Sequence, residues 1–282
     1  MKYLITGATG EVGSRVTRQL VGLGERPRVL ARNKEKALAL FGHSVEIFEG
    51  DLSMPETMRE AFRGVDSAFL VNVGPQIPTQ DQAAARLCLE LSVHKLVKLS
   101  SLDVEEGLAI GAWHEKGEEA IRRLGAPSVM VRPTGFMSNL LAWAASIKVE
   151  GVVRSSTAEG RRPFIHPEDI ASISVEALMD DRYIGQSLPL TGPDSLSFRD
   201  VTAMIATAIG KPLRYEVISD DEARDRHARI SGSVEETEAH VALWKAIRDG
   251  RLATTTDCVR MMIGRSPLSL TDWISENAHS FR

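Results

Sequence analysis

Six short apolar runs recur through the first half of the chain: KYLIT (2–6), RVLA (28–31), VEIF (45–48), SAFLV (67–71), KLVKLS (95–100) and SVMVR (128–132). They are rich in Val, Ile and Leu without strict alternation, the pattern of parallel strands covered on both faces. Parallel strands need crossovers, and the stretches between the runs have helical spacing. EVGSRVTRQLVGLG stops on Gly24, while PETMREAFRG opens on Pro55 and stops on Gly64. The expected fold class is α/β, a doubly wound parallel sheet with right-handed crossovers.

After Gly135 the rhythm loosens. HPEDIASISVEALMDD (166–181) reads as a helix, and SLPLTG (187–192) as a late strand rejoining the sheet. The remainder is expected to be mostly helical, with one short strand at LRYEVIS (213–219). In 282 residues, 43% of them hydrophobic, this fits one large domain with a smaller appendage.

A formal net charge of −4 gives no bulk attraction to nucleic acid or to an anionic membrane. No basic recognition helix is visible, which argues further against a nucleic-acid partner. The two cysteines, Cys88 and Cys258, form no CxxC pair, as suits a reduced, cytoplasmic chain. The first residues already read as a strand, so no leader is expected, and no apolar run approaches bilayer length. The histidines show no metal-ligand spacing, and no metal is expected.

Between the first run and the first helix lies ITGATGEVG (5–13), with Gly7, Gly10 and Gly13 three apart. In a strand–turn–helix setting such glycines have distinct uses. The first permits the turn, the second lets backbone amides approach a pyrophosphate, and the third lets helix and strand pack closely. The positive end of the helix dipole then faces the phosphates. A mononucleotide P-loop would need Lys-Ser/Thr after its last glycine, where this chain has Ser14 and Arg15. The cradle residues are expected to be Gly7, Thr9, Gly10, Glu11 and Val12.

The second strand discriminates among dinucleotides. NAD binders carry an acid about twenty residues on, but LARNKEK places Arg32 and Lys36 there instead. A guanidinium forms charge-assisted bonds to a 2′-phosphate, so NADP(H) is preferred over NAD(H). In EGDLSMPET, Asp51, beside Leu52, either accepts from the adenine amino group or caps the helix opening near Pro55. The loop VNVGP (71–75) sets Val73 and Gly74 along the middle of the cofactor.

With those pieces in place the chain resembles the NmrA-like group of atypical short-chain dehydrogenase/reductases. TGATGEVG, ARNKEK, GDL, VKLSS, RPTGFMSNL, FIHPEDIA and LPLTGPDSLSF carry the resemblance, in that order, across residues 4–198. It implies a Rossmann-type fold with a nicotinamide cofactor across the strand ends and a small-molecule substrate beneath the tail. On this reading residues 1–135, with 163–192 rejoining them, form the NADP-binding domain, and 136–162 with 193–282 form a smaller substrate-binding or lid region. Some members of the group reduce quinones, azo compounds or imines, and others are non-catalytic redox sensors.

Common short-chain reductases use Tyr-x-x-x-Lys after the fifth strand. In GAWHEKGEEAIRRLG, Lys116 is available, but Ala112 stands four residues earlier, and Tyr3, Tyr183 and Tyr215 all lie elsewhere. The candidate catalytic residues are therefore His114, as a proton donor near neutral pH, and Lys116, on ribose or phosphate. Quinone-reductase-like members carry His followed by Glu four positions later, matched by His114 and Glu118. Ser100 and Ser101 stand where a substrate-facing hydroxyl or a strand-end cap is expected. Pro133 to Phe136 are expected to wall the nicotinamide, with Phe136, Met137 and Asn139 at the substrate mouth; core packing is the competing role for Phe136 and Met137. Asp169 is expected to cap or orient a helix, and His166 to be a turn residue.

Hydride transfer to a conjugated acceptor needs little protein acid, because the charge delocalises. The leading expectation is thus an NADPH-dependent reductase of a small apolar conjugated acceptor. An NADP(H) sensor with a protein partner is the alternative, and an isomerase or dehydratase using the nucleotide structurally is a third. A homodimer is compatible with all three.

Overall fold

The computed structural model describes residues 1–282, Ala109 only as a position within its helix. The apolar runs of the first half form β1 (Tyr3–Thr6), β2 (Arg28–Ala31), β3 (Glu46–Glu49), β4 (Ser67–Leu70), β5 (Lys95–Leu99) and β6 (Ser128–Pro133). Their crossovers are α1 (Glu11–Gly22), α2 (Lys34–Phe41), α3 (Pro55–Phe62), α4 (Ile77–Glu90) and α5 (Ala109–Leu124). Next come β7 (Gly135–Phe136), α6 (Ala144–Glu150), β8 (Val152–Ser155), β9 (Arg161–Ile165), α7 (Pro167–Met179) and β10 (Ser187–Leu190). The tail holds β11 (Ser195–Ser197), α8 (Phe198–Ile209), β12 (Arg214–Val217), α9 (Asp220–Ser231), α10 (Val234–Arg248), α11 (Cys258–Ile263) and α12 (Leu270–Asn277).

Seven strands lie side by side in the order β10-β6-β5-β4-β1-β2-β3. Every pairing in this sheet is parallel. The α/β doubly wound architecture is therefore present, with its reversal between β1 and β4. At such a switch point the crossovers leave in opposite directions, opening a crevice at the carboxyl ends of the strands.

Both sheet faces are covered, as the uninterrupted apolar runs require. On one face Val12, Val16 and Leu20 of α1 share a core with Ile170, Ile173 and Ala177 of α7. On the other, Met58 and Phe62 of α3 pack with Ala84 and Leu87 of α4 and Ile121 of α5. A separate cluster around Phe164, Phe198, Ile205, Ile247 and Trp273 holds the tail together. No helix among the described residues is long and apolar enough to cross a membrane.

The second half contains more strand than its pattern predicts. β12 lies within the expected stretch but pairs in parallel with β8, and β9 joins β7 and β11 in a three-stranded sheet. VVRS, RRPFI and SLS do not announce themselves, because each carries polar residues and pairs with a strand distant in sequence.

Of the two roles expected of Asp169, capping or orienting a helix, it does not fill the first. It is fully buried, accepts the Leu268 amide on Oδ2 at 2.7 Å, and meets Arg265 on Oδ1 at 2.7 Å, fastening the C-terminal segment to α7. The cap of α7 is His166, whose Nδ1 accepts the Glu168 amide at 3.0 Å. Replacing Asp169 with Ala leaves the part-buried Leu268 amide without its acceptor, whereas Arg265 can turn to solvent. The expected cost is about 2 kcal/mol, read as a lower denaturant midpoint at unchanged m-value.

Candidate cofactor cleft and active site

β1 ends at Thr6, whose Oγ1 accepts the Val71 amide at 2.8 Å and so ties the first turn to the loop after β4. Gly7 follows at φ +61°, a left-handed conformation that costs other residues strain. Its carbonyl accepts the Gly10 amide at 2.9 Å, closing the turn. Gly10 is the N-cap of α1 and has no side chain to occupy the helix end. A Cβ there would approach only the Gly7 oxygen, at 3.2 Å, so the missing side chain leaves space for a ligand. Gly13 serves another purpose: a Cβ there would overlap the Gly7 carbonyl oxygen and come within 2.7 Å of its carbon. With no side-chain cap, the first-turn amides of α1, including those of Glu11 and Val12, remain available to an anion.

The cradle opens into a cleft of about 440 Å³. Gly7, Thr9 and Gly10 form one wall, Ala31, Arg32 and Lys36 a second, Asp51 and Leu52 a third, and Asn72 and Val73 the end nearest β4. Arg32 and Lys36 are exposed, and neither appears in an ion pair among the described residues. The start of α2 is set by Asn33, whose Oδ1 accepts the Lys36 amide at 2.6 Å. Asp51 does not cap α3, whose N-cap is Met54. Its Oδ1 instead accepts the Ser53 amide at 2.8 Å, and Oδ2 has no hydrogen bond among the described residues.

Other residues named from the sequence stand differently. Val73 is 83% exposed, and Gly74 turns the chain at φ +79°. Glu11 is exposed and paired with Arg15 at 2.8 Å, and the Val12 side chain belongs to the core. Pro133 is buried where β6 pairs with β10. Phe136 is half-buried and Asn139 exposed. Met137, for which a substrate mouth and core packing were both open, is fully buried in the tail cluster. Lys116 is on the exposed side of α5, whereas Gly117 turns to α4, where a Cβ would overlap Asp81 Oδ2.

His114, the acid expected on α5, is buried against that helix's neighbours. Burial, helped by the Lys98 charge, pushes the His114 pKa down to about 3, and Nδ1 has no hydrogen-bond partner. Nor does Glu118 serve His114. It accepts from Arg132 at 3.0 and 2.6 Å, from Arg122 at 2.7 Å and from the Ser100 hydroxyl at 2.6 Å. Burial alone would raise the Glu118 pKa, but the bonds from Arg132 and Ser100 hold it below the usual carboxylate value. Ser100 is thereby occupied, and Ser101 caps the short helix that follows by accepting the Asp103 amide at 3.2 Å.

His114 sets a pH dependence of stability. Its folded pKa, about 3, lies below the unfolded value of 6.5, so the unfolded chain binds the extra proton between those limits. Its titration costs nothing well above pH 6.5, and below that stability falls by up to about 1.4 kcal/mol per pH unit. A His114→Gln variant is expected to unfold less steeply between pH 6.5 and 4 in denaturant titrations.

Behind the cleft lies a network that no local pattern announces. Asn72 Nδ2 donates to Asp81 Oδ1 at 2.7 Å, and Lys98 Nζ lies 3.3 Å from Asn72 Oδ1 and 2.7 Å from Asp81 Oδ2. Asp81 and Lys98 are both fully buried. The available signal is a lysine in the middle of KLVKLS: a central strand covered on both faces has no solvent for an ammonium, so the chain must supply a counter-ion.

A profile of the NmrA-like family matches residues 1–245. A (4-alkanoyl-5-oxo-2,5-dihydrofuran-3-yl)methyl phosphate reductase from Streptomyces griseus is 35% identical over 282 residues, 99% of this chain and 98% of that protein. The chain belongs to the NmrA-like family. An NAD(P)H azoreductase of Xenophilus azovorans is 29% identical, over 99% of this chain and 98% of its own length. Among solved structures, an NADPH-dependent quinone oxidoreductase of Escherichia coli in complex with NADPH superposes with a TM-score of 0.88. It shares 19% identity and covers 98% of this NmrA-like chain and 99% of that one, a likeness of fold.

Proposed function

We propose that this NmrA-like protein is an NADPH-dependent oxidoreductase that reduces a small, apolar, conjugated acceptor of quinone type or similar. The observation that carries the reading is the uncapped, side-chain-free start of α1 opening into a cleft with two exposed cations, Arg32 and Lys36. Uncapped amides at a helix N-terminus suit a pyrophosphate, and Arg32 with Lys36 suits a 2′-phosphate that an acid would repel. Asp51 Oδ2 accepts from the adenine amino group, Val73 and Gly74 border the middle of the cofactor, and Phe136 walls the nicotinamide. Residues 1–135 with 163–192 carry this site, and 136–162 with 193–282 cover its substrate end. The names of the S. griseus, X. azovorans and E. coli proteins support a reductase using this cofactor class.

A bound NADPH supplies the hydride. The chain's part is to orient the cofactor, exclude water and stabilise charge on the acceptor. Ala112 stands in place of the usual Tyr, which favours acceptors whose charge delocalises. The same observation favours a second reading, an NADP(H) sensor without turnover. Anaerobic mixing with NADPH and a panel of quinone and azo acceptors separates the two. Loss of 340 nm absorbance with an acceptor is the expected result, and none with any acceptor while NADPH still binds leaves the sensor. Arg32→Glu is expected to weaken NADPH binding by about tenfold to a hundredfold and to leave NADH binding nearly unchanged, measured by cofactor fluorescence.

A further inference from the structure

Hydride transfer to a carbonyl-conjugated acceptor puts negative charge on oxygen, and the usual tyrosine is missing. The cations near the carboxyl ends of β5 and β6 are the place to look for its replacement. Lys98 is consumed by Asp81 and Asn72, Arg132 by Glu118 and Glu105, and Lys116 is on the exposed side of α5. Arg162 remains.

Its side chain comes from β9 but ends between the segments that follow β5 and β6. Nη2 donates to Asp103 Oδ1 at 3.1 Å and Nε to Thr134 Oγ1 at 3.2 Å, while Thr134 donates to the Pro163 carbonyl at 3.1 Å. Arg162, Asp103 and Thr134 are each 5% exposed. Gly135 makes room for the guanidinium, since a Cβ there would lie 2.9 Å from Nε and 3.1 Å from Cζ. The next residue is Phe136, the proposed nicotinamide wall. The second terminal nitrogen, Nη1, has no hydrogen bond among the described residues. A buried ion pair is a poor device for stability alone, and one that holds a guanidinium rigid with a donor to spare is a better device for binding.

We propose that Arg162 is the catalytic residue that anchors the acceptor's oxygen, a role resting on the oxidoreductase reading. Its substrate class is then the carbonyl-bearing conjugated acceptors, quinones and enones, in which a single oxygen collects the charge. The hydride brings two electrons and one hydrogen to a conjugated carbon of the acceptor. The displaced electron pair moves onto the oxygen as an enolate, which Nη1 holds. Water then gives that oxygen its proton and leaves hydroxide; from a quinone, tautomerisation of the protonated product then gives the hydroquinone.

The test uses 4-nitrophenol, a phenolate at pH 8, and 4-nitroanisole, its neutral analogue, each titrated into the full-length protein with NADP⁺ by difference spectroscopy. The wild type is expected to bind the phenolate about tenfold or more tighter than the anisole. Arg162→Met abolishes that preference and Arg162→Lys retains part of it. NADP⁺ affinity, measured separately, stays unchanged in both. Equal binding of the two probes by the wild type, or a preference that survives in folded Arg162→Met, overturns the proposal. If Arg162→Met fails to fold around an uncompensated Asp103, the Arg162→Met/Asp103→Leu double variant carries the same comparison: a lost preference supports the role, and a surviving one overturns it. Failure of the wild type to bind NADP⁺ would instead sink the oxidoreductase reading itself.

Discussion

Replacing Lys98 with Met is expected to cost the fold about 3–5 kcal/mol, a fall in Tm of roughly 10 °C, although neither residue of its ion pair reaches solvent. The pair is 2.7 Å apart and both members are fully buried. Removing the ammonium leaves the Asp81 carboxyl facing apolar neighbours, with only the Asn72 amide for company. Burial already pushes the Asp81 pKa above its ordinary 3.8, against the opposing pull of Lys98. In the variant it rises further, so the carboxyl is neutral over a wider acidic range and the deficit shrinks as pH falls. A carboxyl with a raised folded pKa costs stability as pH rises through the window above 3.8, which is the sign expected here. Calorimetric scans at pH 5 and 8 read the difference, and Lys98→Met/Asp81→Leu is expected to recover most of the loss. A loss that does not change with pH would place the damage in packing and not in charge.

Gly13→Ala is the second large effect. The new methyl would overlap the Gly7 carbonyl, which is backbone and has no rotamer to change, so α1 must move off β1. Overpacking of this kind costs about 1–3 kcal/mol, and it displaces the first-turn amides along with the helix. Tm falls by several degrees, roughly 2–4 °C per kcal/mol, and NADPH affinity falls with it. Gly10→Ala separates the two roles, because its methyl meets only the Gly7 oxygen, at 3.2 Å. Its Tm is expected to stay within about 2 °C of the wild type while NADPH binding drops at least as far as in Gly13→Ala, measured by differential scanning fluorimetry and cofactor fluorescence.

These two positions show what was legible in the sequence. Gly13 was readable because its reason is local: three glycines in a strand–turn–helix context admit few geometries. The cations Arg32 and Lys36 were readable for the same reason, since their place at the end of β2 follows from the crossover. Lys98 and Asp81 belong to different elements, and only the α4–α5 packing against β5 joins them. Met137 follows the same logic in reverse. Its neighbours in sequence point to a substrate mouth, but it is buried in the cluster that also holds Phe164, on a strand whose partners are distant in sequence. The place of His114 on α5 was readable, but its depth was not, because the burial that lowers its pKa comes from packing between elements. Arg162 left only a faint trace, an extra basic residue in RRPFI.

Everything proposed for this protein depends on the cleft at the start of α1 holding NADP(H) and telling it from NAD(H) through Arg32 and Lys36. Calorimetric titration of the full-length protein with NADPH and with NADH, at one ionic strength, is the decisive measurement. One site per chain is expected, with NADPH bound about tenfold or more tighter than NADH. Equal affinities would contradict the 2′-phosphate assignment, and no heat from either nucleotide would contradict the cradle itself.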